Sequence, residues 1–337
     1  MLSYKPYLLS ALSALLLAGI VPHDKKPVAN NPLAASVDKP LKLNDYREDV
    51  ITLFNNETQQ GQSYIYDKEL YELRCDTLPQ VKFWRSIMHL PKDSALLCYS
   101  QKRSVIHKVH LKSWNSLSDA QKLVYRDSLR YEHCLADSER ILLVEGKSFF
   151  YDFDKAYPNL HRGIDDFISN DVDPWYAQAI LLIESPNKLQ KSNVGAYGPF
   201  QLMKDVARLF GLKVNNKIDE RADFDRSAYA SSSLLKKICI PQAKQMLDTL
   251  HVSYNETDLW FRLLVMHVYH AGAGNVKAAL EAIKPTEGNF ALIQTLWHTQ
   301  AKSFKTASQN YSQLTLAAML EMNAKLRLEG IPQAIKN

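Results

Sequence analysis

Apolar positions fall at helical spacing from Asp173 to Leu328, whereas before Asp173 no single period holds for long. Asp173 suits a helix cap and Pro174 a first helical position. Trp175, Ala179, Leu182 and Ile183 then form an apolar stripe that ends at Glu184. A second helix closes over Ala207–Phe210 and stops at Gly211. Asp223 caps a third, with Ala230, Leu234 and Ile238 spaced by four. Leu259–Val268 is almost continuously apolar, which predicts a buried helix. Ser312–Leu328, with Leu314, Ala317, Leu320 and Met322, gives the last helix. The second half therefore reads as an all-α domain of short helices.

The first half is mixed. Ser104–Leu111 alternates in part, with Val105, Val109 and Leu111 on one side, and predicts a strand. Ile141–Phe153 is also β-prone, with Glu145 and Gly146 as a turn. Between them Ser118 and Gln121 have capping-box spacing ahead of Leu123, Val124 and Leu129, which predicts a helix. Residues 43–170 thus form a small mixed α/β module of unassigned role, and 171–337 a helical domain expected to fold by itself. Residues 22–42, rich in Pro, Asn, Ala and Lys, read as a linker. At the start, Lys5 precedes the uncharged run Tyr7–Val21, shorter than the roughly 20 residues of a membrane span. Residues 1–21 read as a signal peptide or a membrane anchor, and the chain as exported, periplasmic or envelope-bound.

Composition changes this picture little. The 337 residues are 46% apolar and 23% charged, ordinary for a globular protein. A net charge of +5 favours an anionic partner such as cell-wall polymer or lipid head groups, and no Lys/Arg run or nucleic-acid module is present, so no nucleic-acid partner is expected. Export permits disulfides among Cys75, Cys98, Cys134 and Cys239; unpaired buried thiols are the alternative. His267 and His270, and likewise His107 and His110, are three apart, but no third ligand accompanies either pair. No metal and no cofactor are expected, since phosphate-binding and dinucleotide motifs are absent as well.

The chemistry gathers around Glu184. A carboxyl at the end of an apolar helix is desolvated, which raises its pKa and keeps the acid form available near neutrality. Cleavage of a glycosidic bond needs such a general acid. Further on lie Ser192-Asn193-Val194-Gly195-Ala196-Tyr197-Gly198 and then Gln201-Leu202-Met203. Tyr269-His270-Ala271-Gly272 follows, where a buried helix breaks into a Gly-rich turn. This set, over about residues 173–315, resembles the soluble-lytic-transglycosylase catalytic domain, a lysozyme-like α fold. Asp219-Glu220-Arg221, with Asp223 and Ser227, is similar to a segment of the membrane-bound branch of that family. The resemblance implies a mainly α chain, with a lysozyme-like catalytic domain behind the small module. It implies Glu184 as acid and then base, with Ser192, Gly195, Gln201, Met203, Tyr269, His270 and Tyr311 along the groove of a peptidoglycan glycan strand. It also implies non-hydrolytic cleavage to 1,6-anhydro-muramoyl ends. The chain departs from the family at Lys204, Val206, His270, Ala273, Ala307 and Ser308. A hydrolytic lysozyme using Asp219, Glu220 or Asp223 as second carboxylate, and a catalytically weak wall-binding protein, are the alternatives.

Overall fold

The structure is a computed structural model that describes residues 49–55, 60–99, 103–184 and 191–328. The expected signal or anchor and the linker lie outside the described residues. Two strands, β1 (Val50–Asn55) and β2 (Gln60–Ile65), form an antiparallel hairpin. Helices α1 (Glu69–Glu72) and α2 (Pro79–His89) follow. A three-stranded antiparallel sheet then combines β3 (Ser94–Tyr99), β4 (Val105–His110) and β5 (Ile141–Glu145) in the order β4-β3-β5. Helices α3 (Leu111–Asn115) and α4 (Asp119–Glu132) cross between β4 and β5. The remainder is helical: α5 (Phe153–Ser169), α6 (Trp175–Glu184), α7 (Lys204–Leu209), α8 (Phe224–Leu234) and α9 (Ile240–Thr249). After these come α10 (Leu259–Ala271), α11 (Ala273–Ile283), α12 (Phe290–Leu296) and α13 (Thr306–Leu328). The chain is mainly α, with its small sheets ahead of the helical part.

Local signals hold where they are chemically specific. The Ser118 hydroxyl accepts from Gln121 N at 3.2 Å and the Gln121 side chain accepts from Ser118 N at 2.8 Å, a complete capping box for α4. Asp173 Oδ1 accepts from Trp175 N at 2.9 Å, and Asp223 Oδ1 from Arg226 N at 2.9 Å. Other expectations change. The β-prone run after Ile141 is a strand only as far as Glu145, and Phe153 already begins α5. Sequence reading passes over α5 because Pro158 and Gly163 stand inside it. Gly163 serves packing: a Cβ there would lie 2.6 Å from Leu181 Cδ1, so its absence lets α5 approach α6. Leu123 and Val124 are exposed, and α4 buries Leu129 instead in a minor core with Leu97, Trp114 and Ile141. The stripe expected on α6 is a wholly buried helix.

One main core runs from Tyr64 to Leu326 and includes α5, α6, α10 and α13 together with β2 and α2. Several polar groups within it are paired across elements. The Gln178 amide on α6 accepts from Ile65 N at 3.0 Å and donates to Ile65 O at 2.9 Å, taking the place of a strand beside β2. Arg262 on α10 meets Asp173 at 2.7 Å and Asp49 at 2.9 Å. Trp84 donates to Gln313 at 3.1 Å, joining α2 to α13. All four cysteines are free thiols, with Cys134 exposed and the other three buried. Among the described residues no helix is long and apolar enough to cross a membrane.

Candidate active site

Glu184 is the last residue of α6, and burying that helix on all sides carries its carboxyl into the interior, 8% exposed. Tyr311, inside α13, donates its hydroxyl to Glu184 Oε1 at 2.8 Å. α10 ends at Ala271 because Gly272 turns the chain at φ +80°, which only glycine adopts freely, and this leaves His270 at the helix end. The His270 ring stacks on Tyr311, with centroids 4.1 Å apart and planes 20° from parallel. Tyr151, Ile183 and Leu314 complete the small recess over Glu184.

Electrostatics in the recess follow from burial. Desolvation pushes the Glu184 carboxyl up to about 7, against a smaller opposing pull from the Tyr311 hydrogen bond. Burial and then the Glu184 charge drive Tyr311 well above the ordinary phenol range, so it remains a donor. Burial lowers His270 to about 4, and its ring is neutral at neutral pH. Both His270 ring nitrogens are buried with no protein partner among the described residues. Among the described residues, Glu184 is the single carboxylate that lines the recess.

The loop that follows is held by its own backbone. Ser192 Oγ accepts from Ala196 N at 2.9 Å, and Ser192 O accepts from Gly195 N at 3.0 Å. Gly195 and Gly198 take φ of +92° and +88°, and Gln201 sits at +48° with its amide donating to Gly198 O at 3.0 Å. Met203 packs half-buried against the core just before α7. The Tyr269 hydroxyl donates to Phe200 O at 2.7 Å and lies 3.1 Å from Ser231 Oγ, tying the loop to α10 and α8. Of the residues expected at the site, Glu184, His270 and Tyr311 therefore meet in one recess. Tyr269 stands close enough for the Glu184 charge to raise its pKa, after burial. Ser192, Gly195, Gln201 and Met203 shape the adjoining loop.

Two residues at the site escaped the sequence reading. Arg221 is buried and donates to Gly195 O at 2.8 Å and Leu202 O at 3.0 Å, with its guanidinium paired to Asp219. Only its place in the Asp219-Glu220-Arg221 segment hinted at it. Tyr151 gave no signal, since it belongs to the run read as strand. The three carboxylates considered as partners for Glu184 are engaged elsewhere. Asp219 is held by Arg221, Glu220 accepts from Lys213 N and Arg226, and Asp223 caps α8. Hydrogen bonds from Arg221 and from the Lys213 backbone, respectively, hold Asp219 and Glu220 below their usual range.

Residues 169–289 match the family described as the Transglycosylase SLT domain. No curated protein matches the chain. Tyr151 lies ahead of the matched stretch and Tyr311 beyond it.

Proposed function

We propose that this SLT-type domain, a module of the peptidoglycan-acting lytic transglycosylases, cleaves the β-1,4 bond between N-acetylmuramic acid and N-acetylglucosamine without water, with Glu184 as its one catalytic carboxylate. The observation that carries this reading is the recess itself: one carboxyl, buried, raised to about 7 and hydrogen-bonded by Tyr311. Near neutrality a large share of Glu184 is protonated, and it donates that proton to the leaving sugar oxygen. With no second carboxylate among the described residues of the recess to act as nucleophile, the substrate's own N-acetyl group assists departure. The ionised Glu184, still held by Tyr311, then accepts the proton of the muramoyl C6 hydroxyl, and attack of that oxygen closes the 1,6-anhydro ring. Loss of one proton and gain of another leave Glu184 as it began.

Ser192, Gly195, Gln201 and Met203 are assigned to the groove wall through the loop they shape, and Tyr269 and His270 to the sugar face beside Glu184. The substrate places the chain in the cell envelope, in keeping with the export pattern of residues 1–21. The test is mass analysis of muropeptides released from purified peptidoglycan. The wild type should yield anhydro-muropeptides, one water lighter than reducing products, and Glu184→Gln should lose about 10²–10⁴-fold in rate. Reducing ends alone would move the assignment to a hydrolytic lysozyme. Undiminished activity in Glu184→Gln, or a tagged chain found wholly in the cytoplasm, would overturn the reading.

A further inference from the structure

We propose that Tyr151, carried by the segment ahead of the matched domain, is a substrate-contacting residue whose hydroxyl hydrogen-bonds the glycan beside Glu184. The proposal rests on the glycan-cleaving reading above and extends the site beyond the SLT domain.

Three observations support it. First, the loop bearing Tyr151 is built with care. Gly146 N donates to Ser94 O at 2.9 Å, Lys147 N to Ile87 O at 2.9 Å, Ser148 N to Leu90 O at 3.0 Å and Tyr151 N to Lys147 O at 3.0 Å. A Cβ on Gly146 would lie 2.3 Å from the carbonyl oxygens of Leu90 and Pro91, so the loop presses directly on the end of α2. Phe150 meets the Tyr151 ring edge-on at 4.8 Å and Phe153 lies at 6.1 Å, which fixes the ring. Second, Tyr151 is 5% exposed and lines the same recess as Glu184, His270 and Tyr311. That recess has room for about one water-sized group, enough for a sugar hydroxyl or acetamido oxygen and not for a ring.

Third, the Tyr151 hydroxyl bonds no protein group among the described residues; only burial and the Glu184 charge act on it, and both keep it protonated. The other two phenols here differ: Tyr311 is spent on Glu184 and Tyr269 on Phe200 O. The Tyr151 oxygen is not among the fully buried atoms that lack a partner, so this hydroxyl reaches the open space of the recess. One that is fixed, neutral and unspent beside the reacting carboxyl is a donor already paid for in orientation, ready for the substrate.

The experiment is Tyr151→Phe in the full chain, which removes the hydroxyl and keeps the ring. The initial rate of anhydro-muropeptide release from soluble glycan strands should fall tenfold or more. The thermal midpoint should stay unchanged, because no protein hydrogen bond is lost. Tyr131→Phe, at a highly exposed tyrosine of the same segment, should match the wild type. A Tyr151→Phe enzyme of wild-type rate would overturn the proposal while leaving the Glu184 reading intact. A rate loss matched by a fall in thermal midpoint would reduce Tyr151 to packing and overturn it as well. An inactive wild type would remove the glycan-cleaving reading, and this proposal with it.

Discussion

In the proposed reaction Glu184 is useful for the same reason that it is costly to the fold. Its carboxyl is buried at the end of a helix with no counter-charge among the described residues of its recess, so ionisation is disfavoured and the pKa rises from 4.5 to about 7. The folded value stands above the unfolded one. Its contribution to stability is therefore complete below pH about 4.5 and is lost as pH rises through about 7. Glu184→Gln keeps the Tyr311 hydrogen bond and never ionises. We expect thermal melts of the two proteins to coincide near pH 4 and the variant to be the more stable at pH 8, by about 3 kcal/mol at most. Equal midpoints at pH 8 would mean that the carboxyl is better solvated than its burial indicates. The wild-type rate should fall on the alkaline side of pH about 7, as the acid form is depleted.

At the scale of elements, the segment from Ser192 to Met203 owes its shape to groups that bring no chemistry of their own. Arg221 reaches from the turn before α8 to the carbonyls of Gly195 and Leu202, and Tyr269 reaches from α10 to Phe200 O. Gly198 permits the closest approach. At φ +88° a Cβ would stand 1.8 Å from Arg221 O, a backbone atom with little freedom to move. Gly198→Ala combines a left-handed conformation with that clash, and the ordinary Gly→Ala gain in unfolded-state entropy cannot offset it. We expect a loss of about 2 kcal/mol or more in denaturant unfolding and a rate loss larger than the stability loss explains. A variant with wild-type stability and rate would show that the loop does not depend on this contact.

On the scale of the molecule, the helical domain is not closed off from the segment before it. Gln178 uses both polar ends of its amide on Ile65, Arg262 shares itself between Asp173 and Asp49, and Leu160, Ile164 and Phe167 of α5 lie in the main core. Cutting at 171 would remove β2 and α5 from the main core and expose the apolar residues of α6, so the apolar burial between them is lost. Against the expectation that 171–337 folds by itself, we propose from these contacts a different outcome. A fragment of those residues should show no cooperative thermal transition, whereas the chain from Asp49 should unfold in one. A sharp transition with native helical circular dichroism in the fragment would count against this.

What the sequence determined by itself is what local chemistry dictates. The capping box of α4, the Asp173 and Asp223 caps, the stop at Gly211 and the nearly continuous apolar run of α10 each need only near neighbours in the chain. Glu184 was legible on the same terms, as a carboxyl at the end of an apolar helix, and the motif set pointed to Tyr269, His270 and Tyr311. What only the tertiary structure decided depends on distant partners. Helix α5 exists despite Pro158 and Gly163 because α6 packs against it, and Gly163 is what admits Leu181. The caps say nothing of Arg221, whose value lies in two carbonyls 26 and 19 residues earlier in the chain. Nor does any pattern around Tyr151 reveal that it lines the same recess as Glu184. Periodicity reports which face of an element is buried; which residue it is buried against is fixed only when the core closes.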